Sequence, residues 1–218
     1  MARPLRLDFP GGLWHIISRG VERRDICLDD RDRRRFVNLL ATVVAERRWV
    51  LHSWVLMSNH YHLLLETPER GLSRGLKWLN QTYAEVFNKR YDRVGHLFQG
   101  RFKSIAIERE SHLLELTRYI VLNPVRCEAV AFAGDYEWSN YRATAGLQRA
   151  PSWLELGWTL DQFGVDRATA HDAYRHFVAD ARGASWNPWE SVERPSSIGA
   201  LISLVCEEYS VAPDDLKR

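Results

Sequence analysis

The sequence contains no run approaching the roughly 20 apolar residues that a membrane-spanning helix needs. Its opening, MARPLRLDFPGG, also lacks the apolar stretch of a secretory signal. Cysteine is scarce: Cys27, Cys127 and Cys206 stand far apart, with no CxxC pair. That argues against a disulfide framework and a cysteine-based metal site, and points to a reducing, cytoplasmic setting with no membrane partner. Lysine is scarce as well, supplying four of the 30 basic residues: Lys77, Lys89, Lys103 and Lys217. Arginine forks suit phosphates and guanine edges, but a GC-rich genome makes the same exchange, so composition leaves both readings open. There is no internal repeat and no low-complexity segment.

The chain has 218 residues, 45% of them hydrophobic, enough for one domain with a real core and a small appendage. Its net charge of +2 conceals an asymmetry. Residues 1–150 carry 24 Lys and Arg against 17 Asp and Glu, a net +7, whereas residues 151–218 carry 6 against 11, a net −5. The first part therefore offers a positive field to an anionic partner.

Periodicity predicts a strand at Leu13–Ser18, an Arg/Gly loop, and a helix from about Arg31 to Arg47. Asp29 or Asp30 caps that helix, and Phe36, Leu39, Leu40 and Val43 fall on one face. A second strand spans Val50–Met57. Ser58-Asn59 then turns the chain into a third strand at His60–Glu66. A long helix runs from Leu72 to about Tyr91, with Leu76, Leu79, Tyr83, Val86 and Phe87 along its apolar face. A fourth strand near Lys103–Glu108 precedes a helix that Ser111 caps and Pro124 terminates. The β-α-β-β-α-β order followed by a helix predicts an α+β, ferredoxin-like fold, an antiparallel sheet with helices on one face. Residues 1–150 form the main domain. Residues 151–196 are expected to form a helical extension, with a helix at about Arg167–Ala181 and a linker. Residues 197–218 follow, with a last apolar helix near Ile198–Tyr209. The nine tryptophans read as core or interface fillers rather than stacking partners for bases.

His60 and His62 are i and i+2 on the predicted third strand, so both imidazoles point to one face and Tyr61 to the other. Two neutral imidazoles at that spacing form half of a divalent-metal site, although such pairs also occur simply packed or at a surface. Tyr119 and Asn123 are i and i+4 on a helix, hence on one face. Because Asn123 precedes Pro124, its amide is expected at the helix end, free to turn inward. An Asn123 oxygen could complete a site of two histidines and one amide, one helical turn from Tyr119. Tyr119 could equally be a core aromatic beside Leu116 and Ile120, and Asn-Pro a plain terminator. No Asp or Glu joins the set, which speaks against a carboxylate-rich two-metal nuclease.

The strings MSNHYHLLLE (57–66), GHLFQGRFKS (95–104) and RYIVLNPVR (118–126) stand in order along the chain. Together they resemble the motif blocks of single-tyrosine HUH transposases, the IS200-like family. The opening SRGVERRDICLDDRDRRRF (18–36) resembles the branch associated with repetitive extragenic palindromes (REP). The likeness covers about residues 10–145. It implies His60 and His62 as metal ligands, Tyr119 as nucleophile, and Asn123 as third ligand, where the classical insertion-sequence members carry Gln. It further implies Mg²⁺ or Mn²⁺ as cofactor, cleavage and rejoining of single-stranded DNA through a 5′-phosphotyrosine, and a DNA hairpin as partner. Arg19, Arg23, Arg24, Arg101 and Lys103 are the expected DNA contacts. A monomer is expected, with a dimer as the alternative.

The segment Ser197–Arg218 resembles the start of a helix-turn-helix domain similar to that of the bacterial replication initiator, and stops after its first helix and turn. Two other functions fit the same residues: a catalytically idle hairpin-binding regulator, and a related HUH nickase of replication initiation. The complete set of His60, His62 and Tyr119 favours the enzyme, since an idle binder has no chemical need for all three.

Overall fold

The computed structural model of the chain describes residues 8–107 and 113–181. Four strands, β1 (Gly12–Arg19), β2 (Val50–Leu56), β3 (His60–Thr67) and β4 (Lys103–Ala106), form one sheet in the order β2-β3-β1-β4. All neighbours are antiparallel. With α1 (Asp30–Glu46) between β1 and β2, and α2 (Leu72–Arg90) between β3 and β4, this is the predicted ferredoxin-like α+β order.

Local chemistry sets the helix boundaries. Asp29 is the N-cap of α1, its side chain accepting from the Asp32 N–H at 3.0 Å. The predicted stripe of Phe36, Leu39, Leu40 and Val43 is buried. It meets Leu72, Leu76, Leu79, Tyr83 and Phe87 of α2 over a sheet face made of Trp14, Ile16, Tyr61, Leu63 and Leu65. Gly75 permits the close approach of α2, since a Cβ there would lie 2.4 Å from the Trp49 ring. Trp14, Trp49 and Trp54 are core residues, as expected.

Two sequence expectations need correction. The helix α3 (Leu113–Val121) does not join α1 and α2 but covers the opposite face of the sheet. Its Leu113, Leu116 and Ile120 form a stripe that needs an apolar partner. The first face is already covered, and the second offers Leu13, Val55 and Leu64. Nor does Pro124 end the winding. It sits in the first turn of a short helix, α4 (Asn123–Arg126), and the hydrogen bonds Leu122 N to Arg118 O and Arg126 N to Leu122 O carry the spiral through. Proline has no N–H to offer the Ile120 carbonyl. The Asn123 Nδ2 serves that carbonyl instead at 3.3 Å, and the Tyr119 carbonyl at 2.9 Å.

Beyond α4 come α5 (Tyr141–Thr144), α6 (Gly157–Asp161) and α7 (Arg167–Asp180). Ala170, Tyr174 and Val178 of α7 pack with Val121 and Leu122 at the end of α3. Arg118 of α3 lies against α7, its Cζ 4.2 Å from the Phe177 ring centroid and its Nη1 donating to the Phe177 carbonyl at 3.2 Å. The Ser111 cap, the end of the predicted fourth strand at Glu108, most of the linker, the helix at 198–209 and the segment 197–218 lie outside the described residues. Among the described residues, no helix is long and apolar enough to cross a membrane.

Candidate active site

Register assembles the site. In the β1–β3 ladder Arg19 faces His60, Ile17 faces His62 and His15 faces Leu64. In the β1–β4 ladder Lys103 faces Ile17. Directly paired residues share a face, so Arg19, His60, His62, His15 and Lys103 all lie on the side that α3 covers. There α3 lowers Tyr119 toward the imidazoles, its ring centroid 5.9 Å from that of His62 and 6.3 Å from that of His15, both edge-on. Asn123 sits one turn further, within hydrogen-bonding reach of the His60 side chain. The four residues singled out in the sequence, His60, His62, Tyr119 and Asn123, are thus brought together from a strand and a helix more than fifty residues apart.

Each imidazole is held in place. His60 Nδ1 lies 2.6 Å from Asn59 Oδ1, an acceptor because the Asn59 Nδ2 donates to the Arg23 carbonyl, so the Nδ1 carries the proton and the Nε2 the lone pair. His62 Nδ1 lies 2.9 Å from His15 Nε2, and the two rings stack at 5.1 Å. His62 and His15 are buried, and His60 is half-buried at the open end. Burial lowers His15 to about 3. Burial also lowers His60 to about 4, helped by the Arg19 charge and opposed by the Asn123 hydrogen bond. His62 falls well below the usual range, chiefly by burial and then through His15, His60 and Arg19. All three rings are therefore neutral near pH 7, the form that ligates a metal ion.

The donor set fits a divalent cation of intermediate hardness: two neutral imidazoles plus the Asn123 carbonyl oxygen, whose own NH₂ is engaged with backbone carbonyls. Among the described residues no group of three His, Cys, Asp or Glu forms a metal cluster, so the candidate set there is two imidazoles and one amide oxygen.

The five predicted DNA contacts fall at this end of the sheet. Arg19 sits in the site, half-buried. Arg23 and Arg24 are exposed on a loop tied to the His60 turn by the Gly20 N–H to the Asn59 carbonyl (2.8 Å) and by Asn59 Nδ2 to the Arg23 carbonyl (3.1 Å). Arg24 pairs with Glu22 at 2.6 Å, both more than half exposed, a contact weak enough to be displaced. Arg101 and Lys103 are exposed beside β1's other neighbour. The GHLFQG loop is bound to the same rim by Val21 N–H to the Leu97 carbonyl and Gln99 N–H to the Arg19 carbonyl.

Two residues of the site escaped the sequence reading. His15 lies inside an apolar strand string, LWHIIS, and only the register sets it behind His62. Arg126 stacks on Tyr119, with its Cζ 4.6 Å from the ring centroid. Its i+7 separation from Tyr119 on a continuing spiral would have pointed to it, had Pro124 not suggested that the spiral ended.

Comparison with known proteins bears directly on this arrangement. Residues 12–123 match the family model described as "Transposase IS200 like". No curated protein matches the chain by sequence. Among solved structures, that of a REP-associated tyrosine transposase bound to a REP hairpin is similar with a TM-score of 0.57. It is 22% identical, over 69% of this chain and 89% of that one, and so shows the same fold. A candidate transposase from Deinococcus radiodurans R1 (TM-score 0.38, 17% identity, 55% and 94% covered) is too distant to support an argument. The same holds for the tRNA(His) guanylyltransferase of Saccharomyces cerevisiae (0.43, 10%, 84% and 84%). The matched stretch begins on β1, ends on Asn123 and takes in more than half of the chain together with the three imidazoles and Tyr119, so the chain belongs to the IS200-like transposase family.

Proposed function

We propose that this transposase cleaves and rejoins single-stranded DNA beside a REP-like hairpin, with Tyr119 as nucleophile and a divalent ion, Mg²⁺ or Mn²⁺, held by His60, His62 and Asn123. The observation that carries the reading is the placement of a half-buried tyrosine edge-on to neutral imidazoles on a face otherwise sealed by α3. When bound, the ion polarises the scissile phosphate and offsets the charge that develops on it. Tyr119 supplies the phenolic oxygen that joins phosphorus as the bond to the 3′ oxygen breaks, leaving a 5′-phosphotyrosine and a free 3′-OH. Attack by a 3′-OH on that linkage reverses the step and rejoins the strand, so neither ATP nor water is consumed. His15 orients His62, and Asn59 orients His60. Arg19, Arg23, Arg24, Arg101 and Lys103 hold the phosphates on either side.

A labelled hairpin oligonucleotide incubated with the protein and Mn²⁺, then run on a denaturing gel, tests this. A covalent adduct lost with Tyr119→Phe and with EDTA is the expected result. Intact hairpin binding without cleavage, under varied metals and flanking sequences, would replace the enzyme with the idle binder.

A further inference from the structure

Beside the imidazole face stand two guanidinium groups, each with a buried nitrogen that has no hydrogen-bond acceptor among the described residues. These are Arg126 Nη1 and Arg19 Nε. Other arginines with an unmet Nε differ. Arg33 gives Nη1 to Asp30 at 3.2 Å, and Arg142 gives Nη1 to the Gly134 carbonyl. The contrast is sharpest within one spiral. Arg118 is engaged on two nitrogens, with Glu115 on one and the Phe177 carbonyl on the other. Glu115 also reaches Arg126 electrostatically, but its carboxylate is already paired with Arg118. A buried cationic donor left without an acceptor is costly, and the cost is relieved when a ligand brings an anionic oxygen. Arg126 lies three residues beyond Asn123 with its guanidinium carbon over the Tyr119 ring. Arg19 lies across the site beside His60.

We infer that Arg126 is a further catalytic residue, which holds a non-bridging oxygen of the phosphate under attack with its free Nη1 edge while its plane fixes the Tyr119 ring. This rests on the function proposed above. A guanidinium suits the task because its planar fork meets phosphate oxygens while its face remains stacked. Arg126 keeps its protons throughout: the phenolic oxygen gives up its proton as it joins phosphorus, the bond to the 3′ oxygen breaks, that oxygen takes up a proton to become the 3′-OH, and the arginine only binds the oxygen on which charge gathers.

The test separates binding from cleavage. In a Tyr119→Phe background, hairpin oligonucleotides with a single neutral methylphosphonate at each linkage flanking the hairpin foot are titrated with Mn²⁺ present, with and without Arg126→Gln. One linkage is expected at which the neutral group weakens binding about tenfold with Arg126 in place, as for a lost charged hydrogen bond, and less than about twofold with Arg126→Gln. With Tyr119 intact, Arg126→Gln is expected to slow adduct formation at saturating hairpin on the order of 100-fold, and Arg126→Lys to recover part of that rate. A methylphosphonate penalty unchanged by Arg126→Gln at every linkage would overturn the inference. If Arg126→Gln melts early, Arg126→Met, which keeps the stem over Tyr119, takes its place in the same titration. A coupled linkage without any adduct in the unsubstituted protein would sink the cleavage reading and the catalytic role of Arg126 with it; an adduct without a coupled linkage would overturn the role of Arg126 alone.

Discussion

Toward α1 and α2 the sheet presents Trp14, Ile16, Tyr61, Leu63 and Leu65; toward α3 the same strands present His15, His60 and His62. Each face has a tyrosine, and the pair shows what separates packing from chemistry. Tyr61 is fully buried, gives its hydroxyl to Asn80 Oδ1 at 2.7 Å, and packs against Phe36 at 4.8 Å. Burial raises its phenol above the ordinary tyrosine range, so it resists ionisation. Tyr119 stands half-buried among imidazoles, with an arginine on its ring. Position on the fold, not residue type, sets one tyrosine in the apolar core and the other among imidazoles.

Substitutions can break this comparison, and the largest effect is expected at Tyr119. Tyr119→Phe should lower adduct formation by more than about 10³-fold, in line with loss of a nucleophile, and leave the melting temperature unchanged. Tyr61→Phe should do the opposite, keeping the adduct and losing about 1–2 kcal/mol in urea unfolding with its hydrogen bond to Asn80. Phe36→Ala, which empties the space between Tyr61 and Tyr83, should cost about 3–5 kcal/mol by the same measurement. On the imidazole face, His15→Leu removes the nitrogen behind His62. The Mn²⁺ concentration giving half-maximal adduct should rise about 10–100-fold; an unchanged requirement would mean that His62 needs no ring to orient it. The smallest effect lies away from both faces. Asp166 caps α7 through the Thr169 N–H at 2.7 Å, so Asp166→Ala should cost about 1 kcal/mol with no change in adduct yield.

Much of this arrangement could be read from local pattern. The strands and helices from β1 to α2 fall within one or two residues of the predicted bounds, because alternation, the Asp29 cap and the spacing of Phe36, Leu39, Leu40 and Val43 are local signals. Period two placed His60 and His62 on one face, and period 3.6 placed Tyr119 and Asn123 on another. The periodicities did not say that the two faces meet; that came only from the family resemblance. Pro124 misled for a physical reason. A missing N–H usually stops a helix, but here the Asn123 side chain supplies the donor that proline lacks, so the spiral continues and carries Arg126 back over Tyr119.

The sequence by itself determined the order of elements, the shared face of the HxH pair and the excess of arginine in residues 1–150, since each depends on neighbours a few positions away. Only the tertiary structure decided that α3 covers the second face, that His15 stands behind His62, and that Arg126 Nη1 is left without an acceptor among the described residues. His15 and His62 are 47 positions apart and meet only through strand register. Register is settled by which side chains both faces must bury at once, and no single segment contains that information.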